Sequence, residues 1–314
     1  MDLGEKLDAK VREILQGACD DTNKKIKYLG DQISNHPSLR SYGERAIETL
    51  QRPGVMAALV FFRTAGMGIP ESIVEKWVAT NDFGTPHARF KPAFLSDSIY
   101  KYHPVLYWTA SPTVKLFDVY LGTDKMGHFF QQGYTYYLTF EGQRQLGLDD
   151  QSALEYLVTS GRFSEETYFG KSLGAGMSRA DLVANYAGLK FYINLTEPLG
   201  IPGAGASILI QQKEARQDIS FKTWQLNPDR KEIMRPFISD HLNEALNPSS
   251  YGYVNYQLFF GRIQRTCKSW FEKYPSLSRQ DVEHQLKELS TWHGENYGHP
   301  GHFDGVISLA NACF

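Results

Sequence analysis

The sequence predicts a mainly α-helical fold, an irregular helical bundle with long loops and at most a short strand pair. Apolar residues recur at spacings of three and four over much of the 314-residue chain, which is typical of amphipathic helices. Residues that cap helices stand before several of these segments, and glycine or proline follows them. Strand-like alternation is scarce. We therefore expect helices to supply most of the core.

The predicted helices follow one another closely along the chain. The first is amphipathic and is expected to break near Gly17. Thr123, Ser178 and Ser278 are the expected N-caps of three later helices. A short strand pair is expected only within residues 217–226, QDISFKTWQL. The predicted helices cover residues 1–35, 39–51, 70 to about 79, 111 to about 122, 123 onward, about 149–170, 178 onward, 236–246 and 278–292.

Three regions are expected, packed together as one domain. They are an N-terminal helical region (1–52), a central helical domain that carries a polar motif (53–265), and a C-terminal helix with a tail rich in His and Gly (266–314). A chain of this length can bury a substantial core.

Composition excludes some classes of partner. The charged fraction is 22% and the net charge is −2, so no overall field favours nucleic acid. The most apolar stretch, VMAALVFF at 55–62, is shorter than the ~20 residues that span a bilayer. The charged N-terminus lacks the apolar centre of a secretory signal. We predict no nucleic-acid partner, no transmembrane segment, and a soluble protein that is cytoplasmic or exported by a route independent of a signal peptide.

Aromatic residues and cysteines each leave two interpretations open. Aromatic residues make up 13% of the chain and indicate either core packing or a groove for sugars or lipid. Cys19, Cys267 and Cys313 are too widely spaced for a metal framework. They are free thiols of a reducing compartment or, in an exported protein, include a Cys267–Cys313 disulfide.

Two pairs of polar residues stand out from apolar helical surroundings. Asp124 and His128 are four residues apart at one helix start, and Asp181 and Asn185 are four apart at another. This spacing places each pair on one helix face. Asp124 and His128 could ligate a metal or form a general base, or could be a dipole-stabilised first-turn acid and a core histidine. Asp181 has an alternative role in a capping box with Ser178.

Further polar residues are weaker candidates. Glu166, before the glycine-rich segment FGKSLGAG, is a candidate third metal ligand or general acid, or else a solvated surface residue. His241, Asn243 and Glu244 form a cluster in SDHLNEALNPSSY. The C-terminal tail offers further metal-binding side chains: His293, His299, His302 and Asp304.

The segments LGTDKMGHFF and SRADLVANYAGLKFY resemble the YfiM-like lipoproteins of the bacterial envelope and, more distantly, the VanZ-like helical proteins. The resemblance covers about residues 115–195. In these families an Asp-Lys-x-x-His-Phe helix start precedes an Asp-x-x-x-Asn-x-x-Gly helix. The chain departs from them in lacking a lipoprotein signal and in its long additional N- and C-terminal regions. The matching positions are Asp124, Lys125, His128, Asp181, Asn185 and Gly188.

Two hypotheses of function follow. In the first, the chain is a bacterial hydrolase that acts on an envelope component, lipid or glycan, and an effector acting on another cell's envelope is one form of it. One divalent metal ion, its candidate cofactor, is bound by Asp124, His128 and Glu166, while Asp181 and Asn185 position water or substrate; alternatively His128 is a metal-free general base. In the second, the same side chains form a structural hydrogen-bond network in a non-enzymatic, envelope-associated binding or scaffold protein. The sequence does not predict the oligomeric state.

Overall fold

The computed structural model confirms the mainly α fold. It describes residues 1–66, 71–84, 89–90, 96, 111–164, 176–201, 203–214, 221–247, 249–251, 253–273, 275, 278–288 and 305–314. The α-helices of this part of the chain are α1 (Gly4–Asn35), α2 (Arg40–Leu50), α3 (Pro53–Thr64), α4 (Ile73–Thr80), α5 (Asp124–Gly127), α6 (Gly133–Gln145), α7 (Asp150–Ser164), α8 (Arg179–Asn194), α9 (Tyr253–Lys273), α10 (Arg279–Glu288) and α11 (Leu309–Ala312). A π-helical turn, His128–Gln132, joins α5 to α6.

Several helix predictions need correction. The first helix does not break at Gly17, because α1 continues for 32 residues. Thr123 makes no capping hydrogen bond with its side chain, whereas Ser178 and Ser278 accept from Asp181 N and Asp281 N, as predicted.

The predicted helix at 236–246 is wrong. This segment forms two 3₁₀ turns, Arg235–Phe237 and Asp240–Leu242. Asn243 Oδ1 accepts a hydrogen bond from Ala245 N at 3.0 Å, and such local side-chain bonds compete with helix formation.

The predicted helix at 111–122 is also wrong, because this segment is a β-hairpin. Its turn residues, Phe117 and Asp118, both have positive φ, at 49° and 70°, as a type I′ turn requires. Asp favours such a turn, whereas Phe does not. The Asp2 side chain stabilises it from outside, because its carboxylate accepts from Phe117 N at 2.8 Å and Asp118 N at 2.6 Å.

The strands are short, antiparallel and more numerous than the one pair predicted. Within the described residues the strands are β1 (Arg89–Phe90), β2 (Thr113–Leu116), β3 (Val119–Gly122), β4 (Gly176–Ser178), β5 (Ile210–Glu214), β6 (Lys222–Leu226), β7 (Ser249–Tyr251) and β8 (Val306–Ile307). They form three small sheets with the orders β1-β2-β3, β4-β7-β8 and β5-β6, and Ser178 of β4 faces Ser249 of β7. β6, in the predicted segment, pairs with a strand upstream of it.

Helix α8 is the centre of the main hydrophobic core. Every one of its residues except Asp181 is buried, as expected of a helix surrounded by other elements. Helix α6 crosses it at very short distance, since a Cβ on Gly133 would lie 2.5 Å from Gly188 Cα. Gly133 and Gly188 allow this close approach because neither has a side chain. The approach fixes α8 against the helix that follows His128.

Aromatic side chains pack around this crossing. Phe129, Phe130 and Phe191 are fully buried, with ring centroids 4.8–5.7 Å apart. Tyr136 and Tyr137, in the segment YTYY at 134–137, are buried as well. For these residues the interpretation as core packing is confirmed, while the aromatic segment KYHPVLYW at 101–108 lies outside the described residues.

The C-terminal segment is tied to α9 by a Cys267–Cys313 disulfide, so the interpretation that all three cysteines are free thiols is wrong. Cys19 is free and buried, and its burial raises the pKa of its thiol to about 12. Among the residues that the structure describes, no helix has the length and apolar character that crossing a membrane requires.

Candidate functional site

Four elements contribute to a cluster of ionisable side chains at the surface end of α8. Helix α5 and the π-helical turn provide Asp124, Lys125 and His128, and α8 provides Asp181 and Asn185. Glu244, after the second 3₁₀ turn, completes the ion-pair network. Asp181 faces outward because it lies in the first turn of α8, where the helix emerges from the core.

Lys125 lies at the centre of the cluster and is completely buried. Its ammonium donates to Asp124 Oδ2 at 2.9 Å, to Glu244 Oε1 at 2.8 Å and to Asp181 Oδ1. Burial alone would lower the pKa of Lys125, but the three carboxylates outweigh it and raise the pKa well above its ordinary value. Lys125 is therefore a permanent cation that holds one oxygen of each carboxylate.

His128 lies between Asp181 and Asn185 of α8. Its Nδ1 is 3.0 Å from Asn185 Oδ1, and its Nε2 is 3.5 Å from Asp181 Oδ2. Asp181 thus uses one oxygen for Lys125 and turns the other toward the imidazole. The side chains of His128 and Asp181 are 24% and 16% exposed, so the site is recessed but open to solvent.

Ser178 links the helix cap to the ion pairs. Its Oγ accepts from Asp181 N at 3.3 Å and donates to Glu244 Oε1 at 2.9 Å. The predicted cap is present, while the Asp181 carboxylate contacts Lys125 and His128. Capping and participation in the site are therefore compatible roles.

Glu75 of α4 is a member of the site that sequence reasoning missed. Burial raises its pKa to about 7, with a smaller rise from the charge of Asp124 and opposing effects of Ser72 and His128. A Cβ on Gly127 would lie 2.3 Å from Glu75 Oε2, so the glycine between Asp124 and His128 lets Glu75 approach. The sequence shows a capping box with Ser72, which is present, but not that this glutamate faces α5.

The structure brings together four of the five predicted catalytic residues: Asp124, His128, Asp181 and Asn185. Glu166 lies outside the described residues, as do the four C-terminal candidates from His293 to Asp304. Of the cluster at 241–244, Glu244 joins the site. Asn243 is buried and supports the turn beside it.

The donor set suits a divalent cation. Asp124, His128 and Asp181 each offer one ligand atom, and these atoms lie within 4.8 Å of one another. Three carboxylates against the Lys125 ammonium leave a formal charge of −2 with His128 neutral. Carboxylate and imidazole ligands are those of zinc and of non-haem iron or manganese sites.

Comparison with known proteins adds no functional information: no family model matches the chain, and neither a curated protein nor a solved structure is significantly similar to it. The resemblance to YfiM-like and VanZ-like proteins stays a prediction.

Proposed function

We propose that this protein is a metal-dependent hydrolase in which Asp124, His128 and Asp181 bind one divalent cation. The observation that carries the proposal is the contact between His128 Nε2 and Asp181 Oδ2, at 3.5 Å. When the His128 ring is neutral and its Nδ1 proton faces Asn185, these two atoms are both acceptors, and a cation between them would resolve their repulsion. Two ligand atoms at about 2.1 Å from a tetrahedral ion are about 3.4 Å apart, which fits.

The remaining residues have roles that suit such a centre. Lys125 neutralises and orients the carboxylates, so that Asp181 presents a fixed oxygen to the ion. Glu75 is the nearby acid whose pKa, about 7, lies where a general base works best. A divalent ion at this position would supply a nucleophile at neutral pH by lowering the pKa of bound water.

We propose lipid or glycan of the bacterial envelope as the substrate class. Support for this class comes from the resemblance of residues 115–195, and the recessed site would exclude bulk water from a bound ester or glycosidic bond. An exported enzyme of this kind would also be suited to the Cys267–Cys313 disulfide.

Hydrolysis assays with matched variants test the proposal. Chelator-stripped protein should regain activity toward chromogenic esters or glycosides with one equivalent of Zn²⁺ or Mn²⁺. His128→Ala should lose at least about a hundredfold in kcat/KM at an unchanged thermal midpoint, since catalysis that depends on a metal or base is worth about 10²-fold or more. His36→Ala, which alters an exposed histidine, is the control. Equal metal affinity of His128→Ala and wild type would contradict the proposal.

The complete burial of Lys125 favours a second candidate, a scaffold protein with a structural network. There, Asp181→Ala and Asn185→Ala should each lower the free energy of unfolding by about 1–3 kcal/mol. Chelators and divalent metals should then leave the thermal midpoint of the wild type unchanged. A metal-induced rise in that midpoint would exclude this candidate.

A further inference from the structure

Asn185 occupies an unusual position for an amide. It is 3% exposed, in a helix that is otherwise packed into the core, and its Oδ1 lies 3.0 Å from His128 Nδ1. An amide oxygen can only accept, so this contact requires a proton on Nδ1.

The two contacts of His128 distinguish the tautomers. A proton on Nε2 facing the Asp181 carboxylate would form a charge-assisted bond of about 2.7–2.9 Å, whereas the observed distance is 3.5 Å. Of these two contacts, the one at Nδ1 has the length of a hydrogen bond. The geometry therefore favours the Nδ1–H tautomer, in which the Nε2 lone pair points toward Asp181.

We propose that Asn185 is a positioning residue that holds His128 in this tautomer and so presents Nε2 to the metal. The inference rests on the proposed function, in which Nε2 is the metal ligand. Metal-ligating histidines usually donate their other N–H to a carboxylate, carbonyl or water, which fixes the orientation of the ring. Here a buried side-chain amide has that role.

The backbone around Asn185 and His128 holds these two residues opposite each other. Gly188 lies three residues after Asn185, and a Cβ there would be 2.0 Å from Phe129 O, the carbonyl next to His128. The π-helical turn begins at His128, and π-bulges occur frequently at functional sites. The backbones of α8 and of the π-helical turn are thus in contact, and this contact sets the distance between the Asn185 amide and the His128 imidazole. The two side chains therefore lose little conformational freedom when they meet.

The tautomer can be measured in metal-free protein by long-range ¹H–¹⁵N correlation of the imidazole nitrogens. The ¹⁵N shifts also show whether the ring is neutral, and the tautomer is determined at a pH at which it is. Comparison with His128→Ala assigns His128 among the nine histidines. We expect a protonated Nδ1 in wild type and in Asn185→Asp, which keeps an acceptor. Asn185→Leu removes the acceptor and should move the proton toward Nε2.

Zinc affinity provides the second readout. Asn185→Leu should bind Zn²⁺ about 10–100-fold more weakly, and Asn185→Asp should restore binding. Asn194→Leu removes another buried amide of α8, which bonds Ser207 O, and should change neither the tautomer nor the affinity. If Asn185→Leu does not fold, Asn185→Ala, which also removes the acceptor and is smaller, takes its place in both measurements.

The outcomes separate the two proposals. A wild-type Nε2–H tautomer, or a zinc affinity that Asn185→Leu leaves unchanged, would overturn the role of Asn185, and zinc binding by the wild type then decides whether the metal site stands. A wild-type protein in the Nδ1–H tautomer that binds no zinc, manganese or iron would overturn the proposed function and, with it, the positioning role.

Discussion

Glu75→Gln should change the pH dependence of folding in a predictable direction. Glu75 is 7% exposed, and burial raises its pKa from 4.5 to about 7. Between these two values the folded chain retains a proton that the unfolded chain has released. The stability of the wild type therefore falls as the pH rises through this window, because the folded state binds more protons. Glutamine has no such proton, and it can keep the capping box with Ser72.

The size of the effect follows from the two pKa values. Each pKa unit corresponds to about 1.4 kcal/mol, so ionising Glu75 in the folded chain costs about 3 kcal/mol at pH 8. Between pH 4.5 and pH 8, the free energy of unfolding of the wild type should fall by about that much more than that of Glu75→Gln.

Urea unfolding of chelator-treated protein at a series of pH values measures this difference. Glu48→Gln removes an exposed carboxylate and should follow the wild-type curve. Parallel curves for wild type and Glu75→Gln would refute the reasoning, since they would mean that Glu75 is ionised in the folded chain at no cost.

Three further predictions concern stability. Lys125→Met removes the shared counter-ion of three carboxylates whose side chains are 16–48% exposed and should cost about 1–3 kcal/mol in urea unfolding; an unchanged free energy of unfolding would contradict the central role of this ammonium. Gly188→Ala places a Cβ 2.0 Å from Phe129 O and should cost about 1–3 kcal/mol, with a lowered thermal midpoint as the readout and an unchanged midpoint as the contrary result. Replacing Cys267 and Cys313 by serine opens a 46-residue separation and should cost about 4 kcal/mol, seen in urea unfolding and as faster hydrogen exchange in β8; unchanged exchange there would count against a tethering role.

The fold could be predicted where local signals and packing agree. Helices α1, α2 and α8 follow from apolar spacing and end signals. The hairpin at 113–122 could not be predicted, because its turn depends on Asp2, more than a hundred residues away. The segment after Arg235 has the composition of a helix, but the bond from Ala245 N to Asn243 Oδ1 stabilises a turn instead. In both segments, hydrogen bonds to side chains determine the structure, and in the hairpin the side chain is distant in sequence.

The site shows the same division between local and long-range information. Spacing alone indicated that Asp124 and His128 share one helix face and that Asp181 and Asn185 share another. Lys125 was indicated only as a matching position of the resemblance. The sequence does not show that the side chain of a lysine next to Asp124 is buried. The sequence did not indicate Glu75 as a site residue, because its approach to α5 depends on the absence of a side chain at Gly127.

The central claim is that Asp124, His128 and Asp181 bind a divalent cation, and zinc X-ray absorption spectroscopy tests it most directly. With one equivalent of Zn²⁺, we expect a ligand shell of nitrogen and oxygen at about 2.0–2.2 Å that contains one imidazole. That imidazole signal should disappear in His128→Ala. A shell with sulfur, a shell of several imidazoles that persists in His128→Ala, or no binding at all would contradict the account.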